Sequence, residues 1–138
     1  MKIESNAIEL DVNVNDLWNA SSETLAQVAC CVADAPVLER IADNPHTDVE
    51  TLVLLSTNSS ADVRMAVAEN EHAPLSILLT LAHDENPDVR YSIAENSHVD
   101  RLILEELVGD SNPYISWRAL TTLRRMESAQ PGLLRCAA

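Results

Sequence analysis

The chain repeats itself with a period of about 26 residues, and this feature limits its possible folds more than any other. Apolar residues recur in fixed columns, and so do an acidic residue, an asparagine and a histidine. The same step separates the members of each column: Val37, Val63, Val89 and Ile115; Ile41, Val67, Ile93 and Ala119; Asp43, Glu69 and Glu95; Asn44, Asn70 and Asn96; His46, His72 and His98; Leu52, Leu78 and Leu104; Leu55, Leu81 and Leu107. A fixed period of this length is typical of repeat architectures.

Each unit is predicted to be a pair of short helices. In the second unit, Asp62 is a candidate N-cap, and Asn70 is expected in the left-handed position that ends a helix. Pro74 suits the start of the next helix, whose buried stripe would contain Leu75, Leu78, Leu81 and Ala82. Neither helix can bury its apolar face alone, but stacked units can. The sequence therefore predicts an all-α fold, an α-solenoid of stacked short helix pairs.

The ends of the chain differ from the repeats, as terminal caps do. Alternation of Ile8, Leu10, Val12 and Val14 with polar residues predicts a strand-like arm that could pair with a second copy, and a flexible terminus is the alternative. We divide the chain into this arm, a helical repeat domain at 21–126 and a loose tail. The full set of boundaries is 1–20 for the arm, 21–33 for a partial cap, 34–59, 60–85 and 86–111 for the repeats, 112–126 for a C-terminal capping unit and 127–138 for the tail.

Three segments resemble the leucine-rich variant repeat family. They are Asn44-Pro45-His46-Thr47, Asp62-Val63-Arg64 with Ala66-Val67-Ala68, and Asn86-Pro87-Asp88-Val89-Arg90. The resemblance extends over about residues 34–120. It implies a right-handed, HEAT-like solenoid that serves in protein interaction. Some members carry an iron–sulfur cluster, but Cys30, Cys31 and Cys136 do not supply four ligands at cluster spacing, so no cofactor is expected.

Composition excludes several classes of function. With two glycines and a single lysine, Lys2, the chain can carry neither a dinucleotide fingerprint nor a phosphate-binding loop. The net charge of −13 argues against nucleic acid and membrane partners, which require cationic surfaces. Residues 1–110 hold 5 basic and 21 acidic side chains, and residues 111–138 hold 4 basic and 1 acidic. A weaker interpretation as a nucleic-acid binder therefore rests on the basic end, on Arg118, Arg124, Arg125 and Arg135.

One column of the repeat is a candidate partner-binding surface. It contains Glu39, Met65, Tyr91 and Trp117, and it lies four residues before the acidic column. Residues four apart share a helix face, so the apolar members would form a partly exposed stripe bordered by carboxylates. Tyrosine and tryptophan are enriched at binding hot spots. The alternative is that these rings fold over the junction between units.

The second helices offer another candidate surface. If their leucine stripes are buried, the side chains on the opposite side point away from the core and line a concave groove. Those side chains are Val53, Leu54, Leu79, Thr80, His83, Glu105 and Glu106. Their mixed apolar and acidic character would suit a basic amphipathic helix or peptide, although a plain solvated face is the alternative.

Other recurring residues have competing interpretations. The histidine column could bind metal, but equivalent positions about 8–10 Å apart cannot share one zinc, so we expect each histidine to bond backbone groups and to pack between units. Cys30 and Cys31, on a helix predicted at 22–32, are interpreted as small buried hydrophobes rather than as redox residues. Arg64 and Arg90 could form an ion-pair ladder or contact an acidic partner.

The sequence thus favours a non-enzymatic module that binds a basic or amphipathic protein or peptide. The main alternative is a metal- or redox-linked accessory protein that uses the histidine column or Cys30 and Cys31. The odd cysteine count and the absence of a signal-like start predict a cytoplasmic location.

Overall fold

The computed structural model describes residues 2–5, 8–11 and 14–129. Two strands, β1 (Lys2–Ser5) and β2 (Ile8–Asp11), pair antiparallel, with Ile3 opposite Leu10. A 3-10 helix (Val14–Asn19) follows, and the remaining described residues form eight α-helices. These are α1 (Ser22–Cys31), α2 (Ala35–Ala42), α3 (Val49–Leu55), α4 (Ala61–Glu69), α5 (Leu75–Leu81), α6 (Pro87–Glu95), α7 (Arg101–Leu107) and α8 (Pro113–Ala129).

The helices are arranged in two layers, as the period predicted. The first helices of the units, α2, α4, α6 and α8, pack against one another in order, and each second helix packs against its own unit and the next. The core lies between the layers and contains the repeating apolar columns, among them Ile41, Val67, Ile93 and Ala119, all fully buried. The all-helical solenoid is therefore confirmed, and its right-handedness stays a prediction.

Alanine lets the first helices approach closely. Ala42, Ala68 and Ala94 occupy one column and are fully buried.

The prediction that Leu75 belongs to the core is wrong, because Leu75 is 50% exposed while Leu78, Leu81 and Ala82 are buried. Leu75 begins α5 and lies on the same side of that helix as Leu79, which is also exposed.

Side-chain caps begin several of the helices. Asp34, Asp48 and Asp100 each accept a hydrogen bond from a backbone N–H in the first turn of α2, α3 and α7. The prediction for Asp62 is wrong: α4 begins at Ala61, so Asp62 lies inside its first turn. The side chain of Asp62 is exposed there, next to the N-terminal end of the helix dipole, which favours negative charge.

The asparagine column joins each unit to the preceding one. The Asn70 side chain donates from Nδ2 to the carbonyl oxygens of Ala42 at 2.7 Å and Asn44 at 3.1 Å, both in the previous unit. Its Oδ1 accepts the backbone N–H of His72 at 2.8 Å. Asn44 and Asn96 repeat this pattern, the first by donating to Leu17 O at 2.8 Å and the second to Ala68 O at 3.1 Å. In this way the Asn70 and Asn96 side chains satisfy the carbonyls of Ala42 and Ala68, which lie in the last turns of α2 and α4, where the helix itself leaves carbonyls unpaired.

These bonds correct the expected role of asparagine. Asn70 and Asn96 have extended backbone conformations rather than left-handed ones, with φ of −69° and −74° and ψ of 126° and 111°. The side chain, and not an unusual backbone angle, ends the helix. In the last unit Thr122 replaces asparagine and donates to Ala94 O at 2.7 Å, while α8 continues to Ala129.

The two repeated arginines tie each unit to the loops on either side of it. Arg64 binds both oxygens of Asp84, at 2.7 and 2.9 Å, and donates to the carbonyl oxygen of Asn58 at 2.7 Å. One unit later, Arg90 binds Asp110 and Asp84 O in the same way. The structural interpretation of these arginines is supported, and their acidic partners are Asp84 and Asp110, each in the loop that follows the second helix of the unit.

The pairing changes the proton affinity of both partners. The hydrogen bond to Asp84 raises the pKa of the Arg64 guanidinium, although burial opposes the rise. Burial alone would raise the pKa of Asp84, but the hydrogen bonds from Arg64 and from the Asn86 N–H outweigh it, and the pKa lies below its usual 3.8. Hydrogen bonding to Arg90 lowers the pKa of Asp110 in the same way.

The N-terminal arm covers the first end of the solenoid. Strand β2 occupies part of the alternating segment, but the structure places Val14–Asn19 in a 3-10 helix, and Leu17 is buried there beside Asn44. Val12 and residues 130–138, which include most of the predicted loose tail, lie outside the described residues. Within the described ranges, no helix is long and apolar enough to cross a membrane.

Candidate functional site

The first candidate surface runs along α2, α4, α6 and α8. We call it the first-helix surface and define it by two columns: Glu39, Met65, Tyr91 and Trp117, and then Asp43, Glu69 and Glu95. Trp117 is 63% exposed, while Met65 and Tyr91 are half-buried and contact the core. All four carboxylates are exposed. The structure therefore places Met65, Tyr91 and Trp117 on successive helices of one acidic face.

Contacts between neighbouring units differ along this surface. Between α4 and α6, the Ser92 hydroxyl donates to Glu69 Oε1 at 3.2 Å. Between α6 and α8, the Arg118 guanidinium pairs with Glu95 and lies 5.9 Å from the centroid of the Tyr91 ring. A cation at this distance from an aromatic face is attracted to it. The junction therefore already shows how this surface holds a guanidinium group.

The second candidate surface lies on α3, α5 and α7, and we call it the second-helix surface. Its exposed aliphatic side chains are those of Val49, Val53, Leu54, Leu75, Leu79 and Leu102. The charged residues at its α7 end already have partners within the chain. His83 Nε2 lies 2.9 Å from Glu106 Oε1, and Arg101 Nε donates to Glu105 Oε1 at 2.6 Å.

The His83 side chain contacts both Leu79 of α5 and Glu106 of α7. A hydrogen bond with Leu79 O and the nearby Glu106 carboxylate raise the pKa of His83 above its usual 6.5. Both side chains of the pair are more than half exposed, so solvent screens their attraction. Val53, Leu79, His83, Glu105 and Glu106 thus lie on one exposed face, with their charges paired at the α7 end.

The close packing is in the first layer and not in the second. The first helices contact one another extensively, whereas α3, α5 and α7 contact mainly the first helices. The expectation that the second helices line a concave groove stays a prediction without support from the packing.

The histidine column does not converge on a metal site. The backbone N–H groups of His46, His72 and His98 donate to the asparagine Oδ1 atoms, and the three side chains are exposed. The expected backbone bonding is present, but the expected packing of the rings between units is wrong. No group of three or more His, Cys, Asp or Glu side chains suited to a metal ion occurs in the part of the chain that the structure describes.

The adjacent cysteines occupy different environments. Cys31 is half-buried against the core, but Cys30 is exposed at the end of α1 and lines an open groove of about 590 Å³ with Leu54 and Ser59. The expectation that both are buried hydrophobes is therefore wrong for Cys30, because the helix turns that position toward solvent. Both cysteines are free thiols.

The basic C-terminal end is divided by the structure. Arg118 is engaged by Glu95 and Tyr91, whereas Arg124 and Arg125 are exposed on α8. Arg135 lies outside the described residues. A nucleic-acid surface would therefore begin with two adjacent arginines on a helix whose neighbour α7 presents Glu105 and Glu106. The structure therefore gives no support to nucleic-acid binding by the C-terminal end.

Sequence reasoning missed the acid partners of the arginines and the donor role of the asparagines. Asp84 and Asp110 lie one repeat apart in a single column, and each follows its arginine by 20 residues. This recurrence could have indicated the pairing from the sequence. The asparagine donors had a signal too, because the column is invariant over three units while its neighbours vary.

Residues 61–86 match the family model described as leucine rich repeat variant. No curated protein and no solved structure matches the chain. The matched segment contains α4, α5 and the loop that leads to α6, and its asparagine and arginine contacts recur one unit later. Repeats of this kind are generally associated with protein interaction. Residues 61–86 are therefore a leucine rich repeat variant repeat, and the family resemblance seen in the sequence is confirmed for this segment.

Proposed function

We propose that this chain is a non-enzymatic protein-interaction module whose first-helix surface binds a basic or amphipathic segment of a partner protein. The observation that carries the proposal is the alignment of Met65, Tyr91 and Trp117 with a row of carboxylates across four helices. Aromatic side chains that are partly exposed at the centre of a charged surface are the usual anchors of protein interfaces.

Charge supports a basic partner. Within the described residues, the carboxylates of Glu39 and Asp43 have no hydrogen-bond or ion-pair partner, so they are free to bind cationic groups. The net charge of −13 also accelerates the encounter with a basic segment and opposes self-association. The second-helix surface supports the same function less directly, because the acids at its α7 end are already paired with His83 and Arg101.

The alternatives receive less support. A metal-linked role would use the histidine column, whose side chains point to solvent at three separate turns. A redox role would use Cys30, which is exposed but has no basic side chain among the residues of its groove. A cytoplasmic location remains part of the proposal, in keeping with the free thiols of Cys30 and Cys31.

The test compares two pairs of large exposed side chains. Tyr91→Ala/Trp117→Ala removes the aromatic groups of the first-helix surface, and Trp18→Ala/Leu102→Ala removes exposed apolar groups from the 3-10 helix and from α7, outside that surface. The probe is a short designed amphipathic helix of leucine and arginine, and calorimetry measures its affinity. We expect the first pair to weaken binding about tenfold or more, the effect of losing a hot spot of about 1.4 kcal/mol, and the control pair to leave it unchanged. Equal binding by both variants would refute the proposal.

Homodimerisation through the N-terminal arm is a separate proposal. Strand β2 pairs with β1 on one edge, so its other edge is the one that a second copy could extend. Gel filtration of the chain without residues 1–15 tests this: a smaller species than the full chain supports pairing, and an unchanged elution class contradicts it.

A further inference from the structure

A small pocket opens on the first-helix surface between α2 and α4. Its volume is about 170 Å³. The lining residues are Glu39, Arg40 and Asp43 from α2 and Met65, Ala66 and Glu69 from α4. Since a water molecule occupies about 30 Å³ of the liquid, the pocket has room for several waters or for the head of one large polar side chain.

The repeat itself shows what fits at this place. Two units further along, Tyr91 and Glu95 take the positions of Glu39 and Asp43, and Arg118 takes that of Ala66. There the Arg118 guanidinium fills the junction, pairs with Glu95 and lies over the Tyr91 ring. At the junction between α4 and α6, Ser92 stands in this column and reaches only to Glu69. The pocket therefore lies where the chain carries a methyl group instead of a guanidinium.

The chemistry of the lining favours a cation of planar shape. Three carboxylates face one guanidinium, that of Arg40, which makes no ion pair among the described residues. Carboxylates on two helices can accept parallel hydrogen bonds from a guanidinium, which an ammonium group cannot donate in that geometry. Met65 adds a polarisable apolar wall for the methylene stem of the entering side chain.

We propose that this pocket receives an arginine side chain of the partner protein. That side chain would pair with the carboxylates of the pocket as Arg118 of this chain pairs with Glu95 at the junction between α6 and α8. The inference rests on the proposed function of the first-helix surface and identifies the residue type that one end of it recognises. Adjacent helices lie about 8–10 Å apart, and the pocket between α2 and α4 lies two and a half helix spacings from α8, so it is separated from the exposed Trp117 by about 20–25 Å. An extended segment covers that distance in about six to eight residues. The partner motif is thus an arginine followed or preceded at that spacing by an apolar residue.

The test observes both ends of the surface at once. The chain has three methionines and two tryptophans, so the Met65 methyl and Trp117 indole signals can be followed by NMR, with Met126 and Trp18 as internal controls. The probe is a short oligoarginine peptide carrying one tryptophan-contacting leucine, compared with the oligolysine peptide of the same design. We expect a saturable shift of Met65 with the arginine peptide and several-fold weaker binding with the lysine peptide.

Substitutions taken from the repeat itself provide the matched pair. Ala66→Arg places in the pocket the residue found at position 118, and Ala66→Ser the residue found at position 92. We expect Ala66→Arg to abolish the Met65 shift while the Trp117 shift persists, and Ala66→Ser to keep both. Should Ala66→Arg not fold, Glu39→Gln/Asp43→Asn lowers the charge of the pocket at two exposed positions, and Glu105→Gln/Glu106→Gln makes the same charge change on the second-helix surface.

The outcomes separate the two proposals. A Trp117 shift without a Met65 shift overturns the arginine pocket and leaves the interaction surface standing. No shift at either residue overturns both. Equal binding of the arginine and lysine peptides, or equal loss from Glu39→Gln/Asp43→Asn and from Glu105→Gln/Glu106→Gln, shows a general attraction to negative charge and also overturns the pocket.

Discussion

Removal of the Asn70 side chain should destabilise the solenoid far more than removal of an ordinary turn residue. Asn70 is 7% exposed and makes three hydrogen bonds: two from Nδ2 to the previous unit and one from the His72 N–H to Oδ1. Each contributes about 0.5–1.5 kcal/mol. Without the side chain, Ala42 O and the His72 N–H lose their partners, whereas Asn44 O keeps the Thr47 N–H at 3.1 Å. We expect Asn70→Ala to lower the free energy of unfolding by about 2–4 kcal/mol.

The chain supplies graded controls for this substitution. Asn96 makes one such Nδ2 bond and accepts the N–H of His98, so Asn96→Ala should cost less than Asn70→Ala. The Asn58 side chain accepts the Ser60 N–H at 2.9 Å, and within the described residues its amide group donates to no partner. Asn58→Ala should therefore cost about 1 kcal/mol, the value of a single bond.

Urea unfolding followed by circular dichroism measures the three free energies. The slope of the transition should stay that of the wild type, because the surface exposed on unfolding is unchanged. If Asn70→Ala costs no more than Asn58→Ala, the bonds between units do not stabilise the fold and the reasoning fails. Asn70→Asp adds a check with pH: its carboxylate faces two carbonyl oxygens, so its pKa is raised and its penalty should shrink as the pH falls from 7 toward 4.

Three further substitutions and conditions test the other contacts. Arg64→Ala leaves the Asp84 carboxylate buried without its guanidinium partner and should lower the free energy of unfolding by about 3 kcal/mol or more. Arg90→Ala should lower it less, because the bonds of Arg90 to Asp110 and Glu85 are longer than the matching bonds of Arg64 and its side chain is more exposed. Urea unfolding ranks the two variants. The pKa values of Asp84 and Asp110 lie below 3.8 in the folded chain, so the two carboxylates stabilise the fold fully above that pH and less as the pH falls through their lowered pKa values. In thermal unfolding, Asp84→Asn should therefore lose less stability than the wild type between pH 5 and 2. An equal loss of stability would contradict the lowered pKa of Asp84. Ala68→Leu should cost about 1–3 kcal/mol by overfilling the space between first helices, with Ser76→Leu, on the exposed side of α5, near neutral in the same assay.

The architecture was predictable because burial in this chain is local and periodic. A column such as Ile41, Val67 and Ile93 needs only helical geometry and a stacked neighbour to become core. The error at Leu75 has the same origin: a helix as short as α5 has a narrow buried stripe, and leucines on either side of it cannot be separated by spacing alone.

The contacts that fix the units were less accessible, since they join residues distant in sequence. Arg64 and Asp84 are separated by most of a repeat along the chain and meet only after α4 and α5 have packed. The difference between Ala66 and Arg118 is visible in the sequence, but its meaning is not, because only the structure shows that both positions face a junction between first helices. The repeating column of the first-helix surface was therefore predictable from the sequence, whereas the differences between its junctions became visible only in the structure.

The asparagine bonds between units all run in one direction. Every donor belongs to a later unit and every acceptor to an earlier one, from Asn44 with Leu17 to Thr122 with Ala94. During synthesis the acceptors are made first, so each new unit finds its binding partners already in place. If units are lost from the C-terminal side, the remaining asparagine side chains keep their acceptors, whereas loss of an N-terminal unit removes the acceptors of the asparagine in the next unit. The direction of these bonds gives the array a polarity, because its two ends present different hydrogen-bonding groups.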